Sequence, residues 1–338
     1  MLNSSILDIA LGMVFLFVLI SLLCSAINEM LAQFLRMRAK NLEAGLMNLL
    51  QSGEGNRLVE DLYKHPLING LSKTGQKPSY IPPKSFTLAL IDIVCGSTGK
   101  LPANNQSLID AIEKQSTIAK TEAGRSIILL LHEAGDDFKK GRKNLENWYN
   151  DAMDRVGGWY KQKTQVIIFT IAFVVCTALN IDAIKISQTL WTDIALRQAL
   201  VQAASSMDVA SLMDQGLIEQ KPALAGDAAV AAQPNEQAPV EGSMNNIQKS
   251  AKAAGVLVEQ IKGLHLPIGW KVVDGKEKKW IWELERFEAM DWLVKIMGIL
   301  ITTFAGSLGA PFWFQLLNKI VDLRAAGKQP GKSNVGAR

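Results

Sequence analysis

The stretch IALGMVFLFVLISLLCSAI, residues Ile9 to Ile27, decides what kind of protein this chain encodes. It carries no charge, and at about 1.5 Å per residue it is long enough to cross a hydrocarbon core about 30 Å thick. Asp8 precedes it, whereas Arg36, Arg38 and Lys40 follow it. A cleaved secretory signal has its basic residues before the apolar core. The stretch is therefore predicted to be a retained transmembrane anchor.

Two further apolar runs predict a second and a third transmembrane helix. VIIFTIAFVVCTALNI, Val166 to Ile181, is short, so a buried core helix is its alternative, but aromatic and basic residues before it are typical of a membrane interface. IMGILITTFAGSLGAPFWF, Ile296 to Phe314, follows Lys295, whose side chain is expected to extend toward the headgroups. Pro311 is expected to bend its inner end. The predicted interface anchors are Trp159, Tyr160, Trp292 and Trp313.

Lysine and arginine residues near the ends of the three runs predict their orientation. Basic residues follow the first run, precede the second and follow the third, whereas the opposite ends are mainly acidic. The chain is therefore predicted to be an all-α integral membrane protein with its N-terminus outside and its C-terminus in the cytoplasm. Its predicted parts are transmembrane helix 1 in residues 1–35, a cytoplasmic helical domain in 36–163, transmembrane helix 2 in 164–181, an extracytoplasmic region in 182–291 with a flexible segment in 219–243, transmembrane helix 3 in 292–314, and a cytoplasmic amphipathic tail in 315–338.

The predicted cytoplasmic domain has the pattern of several short helices followed by one long helix. Apolar residues recur at helical spacing from Asp136 to Asn180, a stretch without proline, which predicts a helix that enters the membrane without a break. Lys77 to Lys84, KPSYIPPK, is expected to be extended because proline cannot donate a backbone hydrogen bond. On the outer side we expect helices from Ile184 to Ala204 and from Asn245 to Ile261, and a small hairpin within His265 to Trp282.

The composition gives no sign of a nucleic-acid partner, a metal or a cofactor. The net charge is +4, and the basic residues are spread thinly rather than gathered in a stripe. The three histidines, His65, His132 and His265, have no partner at ligand spacing, and the three cysteines lack metal or redox spacing. The sequence GSTGKL, Gly96 to Leu101, lacks the first glycine and the hydroxyl residue of a phosphate-binding loop. We predict no metal site, no cofactor and no catalytic residues.

Small residues at helical spacing mark one face of the third run. Such rows let helix backbones approach closely. They predict helix packing within the chain or, alternatively, an oligomer interface or the lining of a channel. The first row is Gly298, Thr302, Gly306 and Ala310, and the second is Ala305 with Gly309.

Glu29 is the most informative charged residue of the predicted spans, since it lies near the inner end of the first one. Ionisable residues at such depth usually face protein or water. Glu29 is either an intramembrane functional carboxylate, lining a pore or handling protons, or a boundary residue that pairs with Arg36 or Lys319. We favour the second interpretation because Arg36 follows about two turns later, which covers only about 11 Å of depth.

Several stretches together resemble an uncharacterised group of bacterial inner-membrane proteins. The resemblance covers both membrane-proximal ends and most of the predicted cytoplasmic domain, but not the Ala- and Pro-rich outer segment. It implies a location in the cell inner membrane, and it implies no activity. The stretches are residues 21–45, SLLCSAINEMLAQFLRMRAKNLEAG, 64–68, KHPLI, 78–93, PSYIPPKSFTLALIDI, 146–165, ENWYNDAMDRVGGWYKQKTQ, and 306–327, GSLGAPFWFQLLNKIVDLRAAG.

The sequence therefore leaves three functional hypotheses. The first is a non-enzymatic, self-associating membrane protein that acts as an anchor or scaffold for a cytoplasmic protein partner. The second is a homo-oligomeric channel or pore, which would need several chains because three spans leave no room for an internal pore. The third and weakest is a membrane enzyme acting on lipid or cell wall, for which the sequence offers no acid–base pair.

Overall fold

The computed structural model describes residues 2–50, 56–72, 75–97, 99–206, 243–264, 266–274, 277–280 and 289–326. The chain divides into two compact units, with boundaries after residues 31 and 164. The span unit contains the described residues of 2–31, 165–206 and 244–326, and the cleft unit contains those of 32–164. Most of the segment predicted to be flexible, 219–243, and His265 lie outside the described residues.

The described residues are helical apart from one hairpin, which confirms the predicted helical class. The strands of the hairpin pair in antiparallel register from Lys271 opposite Trp280 to Asp274 opposite Glu277, where the sequence predicted a hairpin. The elements are α1 Leu2–Phe34, α2 Met37–Leu50, α3 Asn56–Lys64, α4 Pro66–Asn69, α5 Pro83–Val94, α6 Asn105–Lys114, α7 Ser116–Ala119, α8 Glu122–Ala134, α9 Phe138–Ala178, α10 Ala183–Thr192, α11 Ile194–Ser206, α12 Ser243–Gly263, β1 Lys271–Asp274, β2 Glu277–Trp280, α13 Ala289–Ser307 and α14 Ala310–Ala326.

In the described part of the chain, two helices are long and apolar enough to cross a membrane. They are α1, over Ser5–Phe34, and α13, over Ala289–Ser307. Helices α9 and α10 together would form a third span if they cross the membrane as a pair. They are bent by 53° relative to each other across a short break. The chain thus has the helices of a multi-pass membrane protein, with the second predicted span present only as a bent pair.

Helix α1 forms the centre of the span unit. From Leu11 to Cys24 every residue is buried except the half-buried Met13. A helix that is apolar all round needs neighbours on every side, and α1 has them: Gly12, for example, faces Leu190 and Leu200. The surrounding helices are α9, α10, α11, α12, α13 and α14, which contribute Ala172, Cys176, Leu190, Leu200, Ile261, Ile299, Trp313 and Leu317 to the same core.

Helix α13 has two contrasting faces. Large apolar side chains, including Leu293, Met297, Leu300 and Phe304, are exposed along one stripe. The opposite face is small or polar and buried, as at Gly298, Thr302, Ala305 and Gly306. A helix in water shows the reverse arrangement, whereas a helix in lipid turns its large apolar side chains outward and packs through its small ones.

The break between α9 and α10 is built from two residues with distinct local roles. Asn180 adopts a left-handed backbone with φ 49°, which asparagine tolerates better than most residues. Asp182 caps α10 by accepting hydrogen bonds from the backbone of Ile184 and Lys185 at 2.9 and 3.1 Å. The predicted single helix from Ile184 to Ala204 is wrong, because Asp193 ends α10 and its Oδ1 then accepts from Leu196 N at 3.0 Å to begin α11.

The third predicted span ends seven residues earlier than the sequence indicated, at Ser307 rather than Phe314. Gly309 has φ 89°, a left-handed conformation that ends helices, and Pro311 then lies in the first turn of α14. Lys295 does not extend toward the headgroups as expected. It is 5% exposed, and its Nζ lies 5.1 Å from the centroid of the Trp270 ring.

The cleft unit packs short helices against the first part of α9. Tyr149 of α9 is central to its core: the ring stacks on Phe86 with centroids 4.2 Å apart, and the hydroxyl donates to the Ile81 carbonyl at 2.9 Å. The Ile81 carbonyl lies in Lys77 to Lys84, the stretch predicted to be extended. Helix α5 begins within that stretch, at Pro83. The core residues include Leu46, Leu50, Leu62, Ile68, Ile81, Phe86, Leu90, Ile112, Leu131 and Tyr149.

Candidate functional site

The described residues of the cleft unit form a cleft with a volume of about 1210 Å³. Helices α3, α4 and α5 and the loop that follows α5 form its walls, and α7 with its flanking residues closes one end. Large pockets with a few convergent polar groups are the usual place for a binding site. The lining residues are Arg57, Leu58, Asp61, Lys64, His65, Pro66, Leu67, Leu88, Asp92, Ile93, Gly96, Ser97, Gly99, Lys100, Leu101, Gln115, Ile118 and Thr121.

His65 connects three walls of the cleft. It stands between α3 and α4, followed by Pro66 at the first position of α4, where proline's fixed φ suits a helix start. Its Nδ1 accepts a hydrogen bond from Leu67 N at 3.3 Å. Because Nδ1 is an acceptor, the proton of the neutral imidazole lies on Nε2. That nitrogen bonds to Asp92 Oδ2 at 3.1 Å, which ties α4 to α5.

Asp92 also holds the loop after α5. Its Oδ1 accepts from Gly99 N at 2.8 Å, and its backbone carbonyl accepts from Ser97 N at 2.7 Å. The loop needs left-handed backbone at Gly96 and Gly99, with φ 85° and 69°. The two glycines of the sequence GSTGKL therefore allow the backbone turns of this loop.

The side chains of His65 and Asp92 are tied into the walls of the cleft. Both ring nitrogens of His65 and both carboxylate oxygens of Asp92 are engaged in hydrogen bonds. Burial raises the pKa of the nearby Cys95 thiol, and the Asp92 carboxylate adds to that rise, so the thiol stays protonated at neutral pH. Among the residues that the structure describes, no three His, Cys, Asp or Glu side chains are grouped as metal ligands.

The cleft carries charges of both signs. Arg57, Lys64 and Lys100 contribute three cations, against the carboxylates of Asp61 and Asp92. Asp92 is already bonded to His65 and Gly99, so its charge is partly compensated. Lys64 has an exposed contact with Glu60 at 3.9 Å, and such pairs contribute little. The charged groups of the rim are therefore polar contact points of either sign.

No family model, no curated protein and no solved structure matches this chain. The resemblance to bacterial inner-membrane proteins stays a prediction. The function of the cleft has to be inferred from its own residues.

The rows of small residues on α13 contact residues of other segments of the same chain. A Cβ on Gly298 would lie 1.8 Å from Asp182 Oδ1, and one on Gly306 would lie 2.9 Å from Ile20. Thr302 Oγ1 accepts from Ala183 N at 3.0 Å. Ala305 and Ala310 are buried, and Gly309 forms the turn into α14. These contacts agree with the prediction of helix packing within the chain. They also cover the small-residue face of α13, which was the basis for the alternative prediction of a channel lining.

The other predicted residues lie outside the cleft. Glu29 is half-buried near the end of α1 and interacts with neighbouring groups. Trp159 and Trp292 are exposed and Tyr160 is half-buried. Trp313 differs from the prediction of an interface anchor: it is 8% exposed, and its Nε1 donates to the Ala305 carbonyl at 2.6 Å.

The sequence interpretation missed His65 and Asp92. They are 27 positions apart, and nothing local in the sequence shows that they meet. One local signal was available, since His-Pro before an apolar turn is a plausible helix start. That signal identifies a cap but gives no hint of the partner carboxylate.

Replacing His65 by Ala is expected to destabilise the cleft unit by about 1–3 kcal/mol, because it removes a helix cap and a donor to Asp92. Urea-dependent pulse proteolysis of the full chain, following fragments from residues 36–163, measures this loss. The matched control is His132→Ala, an exposed histidine in the last turn of α8, with an expected change below about 0.5 kcal/mol. Equal losses for the two variants would contradict the structural role of His65.

Proposed function

We propose that this chain is a non-enzymatic membrane anchor whose cleft unit binds a protein partner and holds it at the membrane. The observation that carries the proposal is the large cleft, lined by aliphatic and charged side chains, in the cleft unit. Helices α1 and α13 supply the membrane attachment. The distribution of basic residues supports a cytoplasmic side for the cleft and a location in a bacterial inner membrane.

The cleft supports binding rather than catalysis for two reasons. The hydrogen bonds of His65 and Asp92 hold the walls in place, which gives both side chains a structural role. The rim also carries exposed apolar side chains, Leu67 and Leu101, as binding surfaces do. Apolar and charged groups are combined there in the way expected at a protein interface.

Photo-crosslinking in intact membranes tests this function. A photoreactive amino acid replaces Leu101, which is 52% exposed at the cleft, or Leu129 of α8, which is 70% exposed and outside the lining. We expect one discrete adduct from position 101 that position 129 does not give, and the captured protein should then bind the purified chain. Adducts of equal yield at both positions, or none at 101, would overturn the anchor proposal.

A homo-oligomeric channel is the second proposal, supported only by the predicted self-association. The small residues that suggested it contact Asp182 and Ile20 of the same chain. Ion flux through liposomes containing the purified chain is the discriminating measurement. Flux that depends on chain concentration would favour the channel over the anchor.

A further inference from the structure

We infer that two segments of the cleft unit, residues 34–40 and 159–163, together form a surface that binds the headgroups of anionic phospholipids. This surface is called the headgroup patch. It goes beyond the anchor function, because it needs neither the cleft nor a protein partner. Three observations carry it: the contact that joins the two segments, their exposed and uncompensated cations, and their position at the ends of membrane helices.

A contact between α2 and α9 brings the two segments together. Asn41 Nδ2 donates to the Val156 carbonyl at 3.2 Å, and a Cβ on Gly45 would lie 2.6 Å from Val156 Cγ2. Lys40 is next to Asn41, and Lys163 lies seven residues past Val156, about 11 Å along the helix. Asn41 and Val156 are 115 positions apart, so the patch exists only in the folded chain.

The patch carries net positive charge. Its two segments contain five basic residues and no Asp or Glu. Arg38 already interacts with another group. The other four are exposed and form no ion pair within the part of the chain that the structure describes, namely Arg36, Lys40, Lys161 and Lys163.

The carboxylates nearest to the patch in the sequence leave most of this charge uncompensated. Glu43 bonds to Lys77, and Glu29 is half-buried with an interaction of its own. Asp154 is exposed and precedes the second segment by five residues. Even with Asp154 counted, four exposed cations stand against one carboxylate.

The position of the patch along the helices selects a membrane as its partner. The span in α1 ends at Phe34, which is 73% exposed. On α9 the last charged residue is Lys163, and beyond it Val166 and Phe169 are exposed. Both helices thus change from exposed cations to exposed apolar side chains within a few residues, as happens where a protein passes from headgroups into hydrocarbon. Trp159, also exposed, has the type of side chain enriched in that layer.

Charge then selects the class of lipid. The phosphate of a zwitterionic lipid is offset by the cation of its own headgroup, whereas an anionic lipid keeps a net negative charge. Each Lys or Arg near an anionic membrane surface strengthens binding about fivefold. Inorganic phosphate can meet the cations but gains nothing from Phe34 or Trp159. The patch should therefore prefer an anionic phospholipid over both a zwitterionic one and the free ion.

The test uses the full chain in a non-ionic detergent and a fluorescently labelled phosphatidylglycerol as the probe. Unlabelled phosphatidylglycerol, phosphatidylcholine and inorganic phosphate compete with it. We expect phosphatidylglycerol to displace the probe at a concentration at least tenfold lower than phosphatidylcholine or phosphate. Raising the salt concentration should reduce this preference, because exposed charges are screened.

Variants of the chain locate the binding. Changing Arg36, Lys40, Lys161 and Lys163 together to Gln should reduce the preference for phosphatidylglycerol to less than twofold. The matched control removes the same charge from four exposed lysines of the cleft unit outside the patch and should keep the tenfold preference; these are Lys84, Lys114, Lys120 and Lys139, each changed to Gln. A cooperative unfolding transition verifies that each variant is folded. Lys161→Gln with Lys163→Gln, expected to lower the preference severalfold, is used if the fourfold variant does not fold.

Three results would overturn the inference. Equal displacement by phosphatidylglycerol and phosphatidylcholine would remove the charge argument. An equal loss of preference in the control variant would show that total charge matters and the patch does not. Displacement by inorganic phosphate at the concentration of phosphatidylglycerol would assign the cations to a small anion. Crosslinking from position 101 reports on the cleft independently, so the headgroup patch can fail while the anchor function stands.

Discussion

Replacing Gly298 by Ala is expected to lower the stability of the span unit by about 2–4 kcal/mol, the sum of overpacking and a disturbed helix cap. The new methyl carbon would lie 1.8 Å from Asp182 Oδ1. Real atoms do not approach so closely, so either α13 must move away from α10 or Asp182 must leave its position. Since Asp182 Oδ1 accepts from Ile184 N and Lys185 N, moving it removes the cap of α10 as well.

The measurement is the apparent Tm of the full chain in detergent at a fixed scan rate, where we expect a decrease of about 5–15 °C. Gly255→Ala is the matched control, because Gly255 lies on α12 of the same unit and a Cβ there meets nothing within 4 Å. That variant should be neutral or slightly stabilising, since Ala favours helix over Gly by about 1 kcal/mol.

A double-mutant comparison identifies the cause. Serine at position 182 keeps a capping oxygen but is shorter than aspartate. Gly298→Ala should therefore cost less in an Asp182→Ser background than in the natural chain, which is the non-additivity expected of residues in contact. Additive losses, or a Gly298→Ala variant as stable as the Gly255→Ala control, would show that α13 and α10 do not meet at this point.

Replacing Tyr149 by Ala is expected to destabilise the cleft unit by about 3–5 kcal/mol, the range measured when large aromatic side chains are removed from cores. Tyr149 is 1% exposed and stacks on Phe86, so the deletion leaves a cavity beside a second ring. It also removes the donor to the Ile81 carbonyl, which is buried and would be left without that bond. Pulse proteolysis in urea, as for His65, measures the loss.

Two further variants separate the ring from its hydroxyl. Tyr149→Phe keeps the stacking and loses only the bond to Ile81, so it should cost about 1–3 kcal/mol. Leu129→Ala, at an exposed position of α8, should change stability by less than about 0.5 kcal/mol. If Tyr149→Phe and Tyr149→Ala were equally costly, the packing of the ring would contribute nothing, contrary to the structure.

The sequence predicts those parts of the fold that depend on neighbouring residues. Uncharged runs identify α1 and α13 as spans, and helical spacing identifies the long α9, because both signals lie within one segment. The end of α9 at Ala178 could also have been predicted from the sequence, because asparagine at 180 favours a left-handed turn and aspartate at 182 favours a helix cap. The split at Asp193 carried the same cap signal and was missed.

What the sequence could not give depends on contacts between distant segments. Both α1 and α13 are apolar enough to cross a membrane, yet one is enclosed by helices and the other is exposed along a stripe. The cleft likewise depends on His65 meeting Asp92 across two helices. Lys295 shows the limit of a local rule. Its position at the end of an apolar run predicted that the side chain extends toward the headgroups, whereas its Nζ lies over the ring of Trp270, a residue distant in sequence.

The enclosed position of α1 has a consequence for biosynthesis. Phe17 leaves the ribosome 296 residues before its ring partner Trp313, whose centroid lies 4.7 Å from that of Phe17 in the folded chain. At the usual elongation rate of about 5–20 residues per second, roughly 15–60 s separate the two. During that interval α1 lacks the neighbours that α13 and α14 supply in the folded chain. We expect truncated chains that end before α13 to carry an α1 that is inserted but accessible to crosslinking from lipid, and that protection appears only when the last helices arrive.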